Sequence, residues 1–250
     1  MSVGPDPVVL VAHGSRDPRA AATTEGLARA VAAARPGLLV RASYLDHGPP
    51  RPAAVLAELE AAGHRRVVLV PLLLTAAYHG RVDVPDAVRA ARAAGVGIPV
   101  RITEVLGPTV RGPHPCLLAG LRRRLVEAVG GADRGVAGGF DAVVLAAAGT
   151  RDATARRTVV RVAQALGGVL GVPARVGYAS ASLPTAGAAV AELRAAGARR
   201  VAVATYFLAP GQLYDSAMRS ARQAGAVALA APLGDAPELV ELVLDRAAAA

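Results

Sequence analysis

The chain repeats itself, and the repeat restricts its fold more than any other feature. VVLVAHGSRD from Val8 returns as VVLAAAGTRD from Val143. AAVLAELEAAGHRRVVLVPLLL from Ala53 returns, with one gap, as AAVAELRAAGARRVAVATYFL from Ala188. The offset is about 134 residues, and a Gly-rich junction at 130–139 separates the copies. Two tandem domains are expected, 1–131 and 139–250, each of ordinary domain size.

Within each copy, short apolar runs alternate with longer alanine-rich amphipathic stretches, the pattern of consecutive βα units. Strands are expected near 8–13, 38–45, 66–73 and 98–102, with helices near 19–34, 51–62, 82–94 and 115–129. The second copy repeats this with strands near 142–147, 174–179, 200–207 and 226–230. The strands are apolar throughout rather than alternating, so helices should cover both faces of a parallel sheet. The expected fold class is α/β: two duplicated domains, each a four-stranded parallel sheet flanked by helices. Right-handed crossovers gather the C-terminal strand ends along one edge, where open α/β sheets bind their ligands.

Three polar positions fall on that edge in the first copy. His13 ends the first strand, Asp46 ends the second with His47 bordering it, and Tyr78 and His79 follow the third. Neighbouring strands lie about 4.8 Å apart, so side chains from three adjacent ends can meet on one small object. A single histidine in a loop more often satisfies backbone than performs chemistry, but the duplication supplies an internal control. Ala148, Ser180 and Leu213 replace His13, Asp46 and His79, while Gly149, Arg151, Asp152 and Tyr178 persist. Capping would serve both copies equally. The trio is therefore dispensable for folding and marks the first copy as the chemical one.

Two imidazoles and a carboxylate suit either divalent metal binding or proton transfer. No HExxH or CxxC pair is present, so a permanent structural metal is not expected and transient metal handling fits better. Rival chemistries lack their residues. Ala12 stands where a phosphohistidine phosphatase needs arginine before its His-Gly. A GxxxxGK loop is impossible without lysine, GxGxxG follows neither first strand, and Ser15 in HGSRD is out of frame for GxSxG.

Composition narrows the partners further. Tryptophan is absent and aromatics make up 3%, which removes base-stacking platforms and argues against nucleic acid. The net charge of +9 comes entirely from arginine among the basic residues; compositional bias accounts for much of it, yet the positive background favours anionic ligands. The single cysteine, Cys116, cannot form an internal disulfide, and neighbouring His114 reads as a loop residue. No apolar run is long enough for a bilayer and the N-terminus lacks a leader pattern, so a cytoplasmic protein without membrane contact is expected.

VAHGSRDP and PLLLTAAYHGRVDVP together resemble the CbiX/SirB family of sirohydrochlorin chelatases, the class II tetrapyrrole chelatases. The resemblance spans essentially the whole chain, including the loss of the histidines from the second copy, where YFLAPGQLYD replaces the histidine-bearing loop. It implies a chelatase that inserts Fe²⁺ or Co²⁺ into sirohydrochlorin, on the way to sirohaem or cobalamin. The metal is then a co-substrate, with no permanently bound cofactor. His13 and His79 would be the catalytic, metal-delivering and proton-accepting residues, with Asp46 as a third metal-site group. After Asp46, HGPPRP departs from the acidic-Pro-Ser continuation usual in the family. Ser15, Arg16, Tyr78 and Arg81 would contact the polycarboxylate substrate, with Arg51 a further candidate anchor. A monomer is expected, because tandem halves supply within one chain what paired short chains supply elsewhere. A metal or tetrapyrrole carrier and a nickel-inserting chelatase remain the alternatives.

Overall fold

The computed structural model describes residues 5–75, 83–130 and 139–249. The first copy runs β1 (Val8–Ala12), α1 (Pro18–Ala34), β2 (Val40–Tyr44), α2 (Pro52–Ala61), β3 (Val67–Pro71), α3 (Val84–Ala93), β4 (Val100–Ile102) and α4 (Pro115–Ala128). The second runs β5 (Ala142–Ala147), α5 (Ala153–Leu170), β6 (Ala174–Tyr178), α6 (Ala186–Ala195), β7 (Val201–Tyr206), α7 (Gln212–Gln223), β8 (Ala228–Leu229) and α8 (Pro237–Ala248). Each copy forms one four-stranded parallel sheet, ordered β2-β1-β3-β4 and β6-β5-β7-β8. The expected fold class is the observed one.

Sequence explains which strands are central. VVLVP in β3 and AVVLAA in β5 are buried at every position, as strands covered on both faces must be. Edge strands β2 and β6 read VRASY and ARVGY, and each exposes its arginine, Arg41 or Arg175. β4 and β8 also lie at edges, and both are shorter than the apolar runs around them. Proline opens α1, α2, α4 and α8 at positions where its missing N–H costs no intrahelical bond.

In the first sheet, Val9, Val11, Val67 and Leu69 pack on one face against Val55, Leu56 and Leu59 of α2 and Val84 and Val88 of α3. In the second, Val144, Ala146, Val201 and Val203 meet Ala189, Val190 and Leu193 of α6 and Ala217 and Met218 of α7. The opposite faces hold the main departure from expectation. α8, from the second copy, packs on α1 and β3; α4, from the first copy, packs on α5 and β7. The copies therefore exchange their final helices.

The compact units accordingly do not follow the expected boundaries of 1–131 and 139–250. One unit is the chain up to Thr109 joined by the segment from Asp235 onward, and the other is Val110–Gly234. Two equivalent arginines fasten the exchanged helices. Arg124 of α4 donates through Nε and Nη2 to the Leu233 carbonyl at 3.3 and 3.0 Å. Arg246 of α8 donates to the carbonyls of Val105 at 3.0 Å and Gly107 at 3.3 Å. The amphipathic pattern of a helix records that one face is buried, not which of two similar sheets buries it. Among the described residues, no helix is long and apolar enough to cross a membrane.

Candidate active site

Strand order brings the loops after β1 and β2 together, because these strands are neighbours in the sheet. His13 follows β1, and Asp46 and His47 follow β2, whose register sets Ala12 beside Tyr44. Two backbone bonds close the loops onto each other: Leu45 N–H to the Ala12 carbonyl at 2.9 Å and Asp46 N–H to the His13 carbonyl at 2.8 Å. Gly14 makes this approach feasible. Its φ is +96°, and a Cβ there would sit 2.0 Å from the Asp46 carbonyl oxygen. No other residue type fits.

The rings of His13 and His47 stand edge to face, with centroids 6.2 Å apart and planes at 82°. A metal–nitrogen bond of about 2.0–2.1 Å puts each ring centre roughly 3 Å from an ion, so two rings can share one ion up to about 6 Å. At 6.2 Å and edge to face, the two rings stand just outside that distance. His47 Nε2 lies 3.7 Å from Asp46 Oδ2, and Arg51 Nη2 lies 3.7 Å from Asp46 Oδ1. The His47 N–H donates to Asp46 Oδ1 at 2.7 Å. This backbone donor, foremost, holds the Asp46 carboxyl below the usual carboxylate range, aided by the nearby charges of His47, Arg51 and His13. Asp46 and both imidazoles are exposed, so the site is open to solvent-borne ligands.

The remaining candidate residues separate into framework and open positions. Ser15 Oγ accepts from the Asp17 N–H at 3.1 Å, and Asp17 caps α1 by accepting from the Arg19 N–H at 3.0 Å. Thr150 and Asp152 do the same in the second copy, where Thr150 Oγ1 accepts from the Asp152 N–H at 3.1 Å and Asp152 caps α5. By the duplication test, Ser15 is accounted for by the turn it closes. Arg16 is exposed. Arg51 braces the loop by donating to the Leu45 carbonyl. Tyr78, His79 and Arg81 lie outside the described residues. His114 caps α4, accepting through Nδ1 from the Cys116 N–H at 3.3 Å.

His47 is nearer the centre than its sequence position beside Asp46 indicated. Its φ of 64° is left-handed, which is uncommon for a residue with a side chain. Ala181, its counterpart, has φ of 54°, so this backbone belongs to the loop and the imidazole is an addition to it. The signal was present in the sequence as His47 opposite Ala181.

A family model described as CbiX matches residues 7–128 and 142–250. The chain belongs to the CbiX family. CbiX-family chains of known structure share its fold. SirB from Bacillus subtilis with Fe³⁺ matches with a TM-score of 0.76 at 21% identity, covering 96% of this chain and 93% of that one. The sirohydrochlorin chelatase SirB from Bacillus subtilis subspecies spizizenii in complex with cobalt gives 0.77 at 19% identity, covering 97% and 94%. A curated relative, the sirohydrochlorin cobaltochelatase of Methanococcoides burtonii, is 24% identical over 79 residues, 32% of this chain. The match spans 60% of that relative's length.

Proposed function

We propose that this CbiX-family protein is a chelatase that inserts Fe²⁺ or Co²⁺ into sirohydrochlorin. The observation that carries the reading is the asymmetry of the duplicated edge. His13, Asp46 and His47 gather at the β1 and β2 ends, whereas the same backbone in the other copy carries Ala148, Ser180 and Ala181. Family relatives described as a cobaltochelatase and as a chelatase in complex with cobalt support the same chemistry.

Metal insertion requires removing water from the ion, taking two pyrrole protons and turning the macrocycle nitrogens toward the metal. Neutral imidazole serves the first two needs, as a ligand for borderline divalent ions and as a base. In this reading His13 and His79 deliver the metal and accept protons. Asp46 holds positive charge at the site, its carboxyl kept ionised by the His47 N–H and Arg51. His47 joins them as a further imidazole. Arg16, Tyr78 and Arg81 are the remaining substrate contacts, and the chain acts as a cytoplasmic monomer.

Anaerobic incubation with sirohydrochlorin and each ion, followed by absorption, tests the proposal. Faster metal incorporation than in protein-free solution, abolished in His13→Ala and His79→Ala, is expected. A protein that shifts the sirohydrochlorin spectrum without accelerating incorporation is a carrier instead. Faster incorporation of Ni²⁺ than of either other ion would redirect the reading to a nickel chelatase.

A further inference from the structure

The ligand edge of the second sheet lacks imidazoles but keeps a concavity. A groove of about 780 Å³, within the size range of small-molecule sites, is lined by Arg156, Arg157, Val160, Arg161, Tyr178 and Leu183. It runs along the start of α5 and the loop after β6. Leu183 is 82% exposed and Val160 40% exposed, so the groove offers water a larger apolar surface than its polar neighbours suggest.

The duplication shows what is special here. Burial fixes the register of the two helices: Thr24, Leu27, Ala28 and Val31 face inward in α1, and Val159, Val162, Ala163 and Leu166 do so in α5. In that register Arg156, Arg157 and Arg161 replace Ala21, Ala22 and Gly26, and Val160 replaces Glu25. Along this groove the copy without imidazoles has gained three guanidinium groups, lost one at Thr154, where α1 has Arg19, and lost an acid.

These arginines are arranged but not neutralised. Arg156 Nη1 donates to the carbonyls of Thr150 and Arg151, both at 2.9 Å, which fixes its guanidinium at the mouth of the groove. Arg157 Nη2 donates to Thr154 Oγ1 at 2.9 Å. Among the described residues, none of the three pairs with a carboxylate. The adjacent acid, Asp152, accepts from the N–H groups of Thr154 and Ala155 at 2.7 and 3.2 Å. Three cations beside exposed leucine and valine suit a ligand with several carboxylates around an apolar body, since planar guanidinium groups bind carboxylates with two parallel hydrogen bonds.

We propose that this groove of the second unit binds a flat amphipathic polycarboxylate, with Arg157 and Arg161 on its carboxylates and Leu183 and Val160 against its apolar face. Assigning that ligand as the tetrapyrrole substrate rests on the function proposed above; recognition of a polycarboxylate does not.

The test uses the full chain and an octacarboxylate porphyrin without metal, with binding followed by fluorescence quenching. Arg157→Glu/Arg161→Glu should weaken binding at least about tenfold, as expected for losing two charge-assisted contacts. Arg35→Glu/Arg92→Glu, which changes net charge equally on the other unit, should shift it less than about threefold by long-range charge alone. The methyl-esterified porphyrin should not respond to the arginine substitutions. Circular dichroism checks folding, and Arg157→Ala/Arg161→Ala repeats the test without charge reversal. Affinity unchanged in both arginine variants, or an equal loss with the esterified porphyrin, overturns the proposal. Arginine-dependent binding in a protein that fails to insert metal would sink the chelatase reading and leave this site standing. Normal insertion with arginine-independent binding would do the reverse.

Discussion

The two ligand edges of this molecule share a backbone and differ in chemistry. Gly14 and Gly149 have φ of +96° and +92°, and each presses against a carbonyl of the neighbouring loop. His47 and Ala181 adopt the same left-handed conformation. Ser15 and Thr150 close the same turn, and Asp17 and Asp152 cap the same helix. On this common frame the first copy mounts His13, Asp46 and His47, and the second mounts Ala148, Ser180 and Ala181. The difference teaches which features belong to the fold and which are added. Glycine, cap and turn recur because the chain cannot close without them; imidazole and carboxylate do not.

The largest expected effect separates the edges by activity. His13→Ala should lower the rate of metal insertion by about 10²–10⁴-fold, the usual contribution of a positioned acid–base group, with an unchanged melting temperature. Ala148→Ser, at the matching place, should leave the rate within about twofold. Comparable losses from both substitutions would erase the distinction.

Next comes a test of what the copies share. Gly14→Ala and Gly149→Ala should each destabilise the protein by about 1–3 kcal/mol, since the new Cβ meets a carbonyl oxygen and the backbone is left-handed. Denaturant unfolding monitored for both variants checks this. A loss in one copy alone would mean that the frames are not equivalent.

Asp46→Asn sharpens the comparison at a single carboxylate. Insertion should slow by about 10–100-fold, the scale of losing a supporting group at a metal site, whereas Ser180→Asn should be silent. The pH dependence follows from the lowered pKa of Asp46. A carboxyl held below its unfolded value stabilises the loop fully above that unfolded value, near 3.9, and loses this contribution as pH falls through the folded value. Asp46 therefore stays ionised throughout the neutral range. A carbon-13 carboxyl titration should show its midpoint below that of a model aspartate, and a midpoint at or above it would contradict the His47 and Arg51 contacts. The smallest effect is expected from Arg51→Ala, a loss of severalfold in rate at most, because its ion pair with Asp46 is exposed.

Much of this frame was readable in the residues. Apolar runs located β1, β2 and β3, and the replacement of His13 by Ala148 marked where the two edges differ. His47 lies in an exposed bend, where no periodicity marks a residue and only its replacement by Ala181 sets it apart. Ser15 closes the same turn as Thr150, a backbone role that residue type alone does not distinguish from a substrate contact. The domain boundaries read differently for a physical reason. α4 and α8 each follow a fourth strand and each bury one face, and burial alone does not reveal a partner that is distant in sequence.

The exchanged helices also impose an order on synthesis. The sheet that carries His13 and Asp46 finds its last covering layer in α8, so its exposed valines must wait, unshielded, while the entire second copy leaves the ribosome. A nascent chain halted before Pro237 would therefore present a sticky, half-dressed sheet to chaperones and proteases.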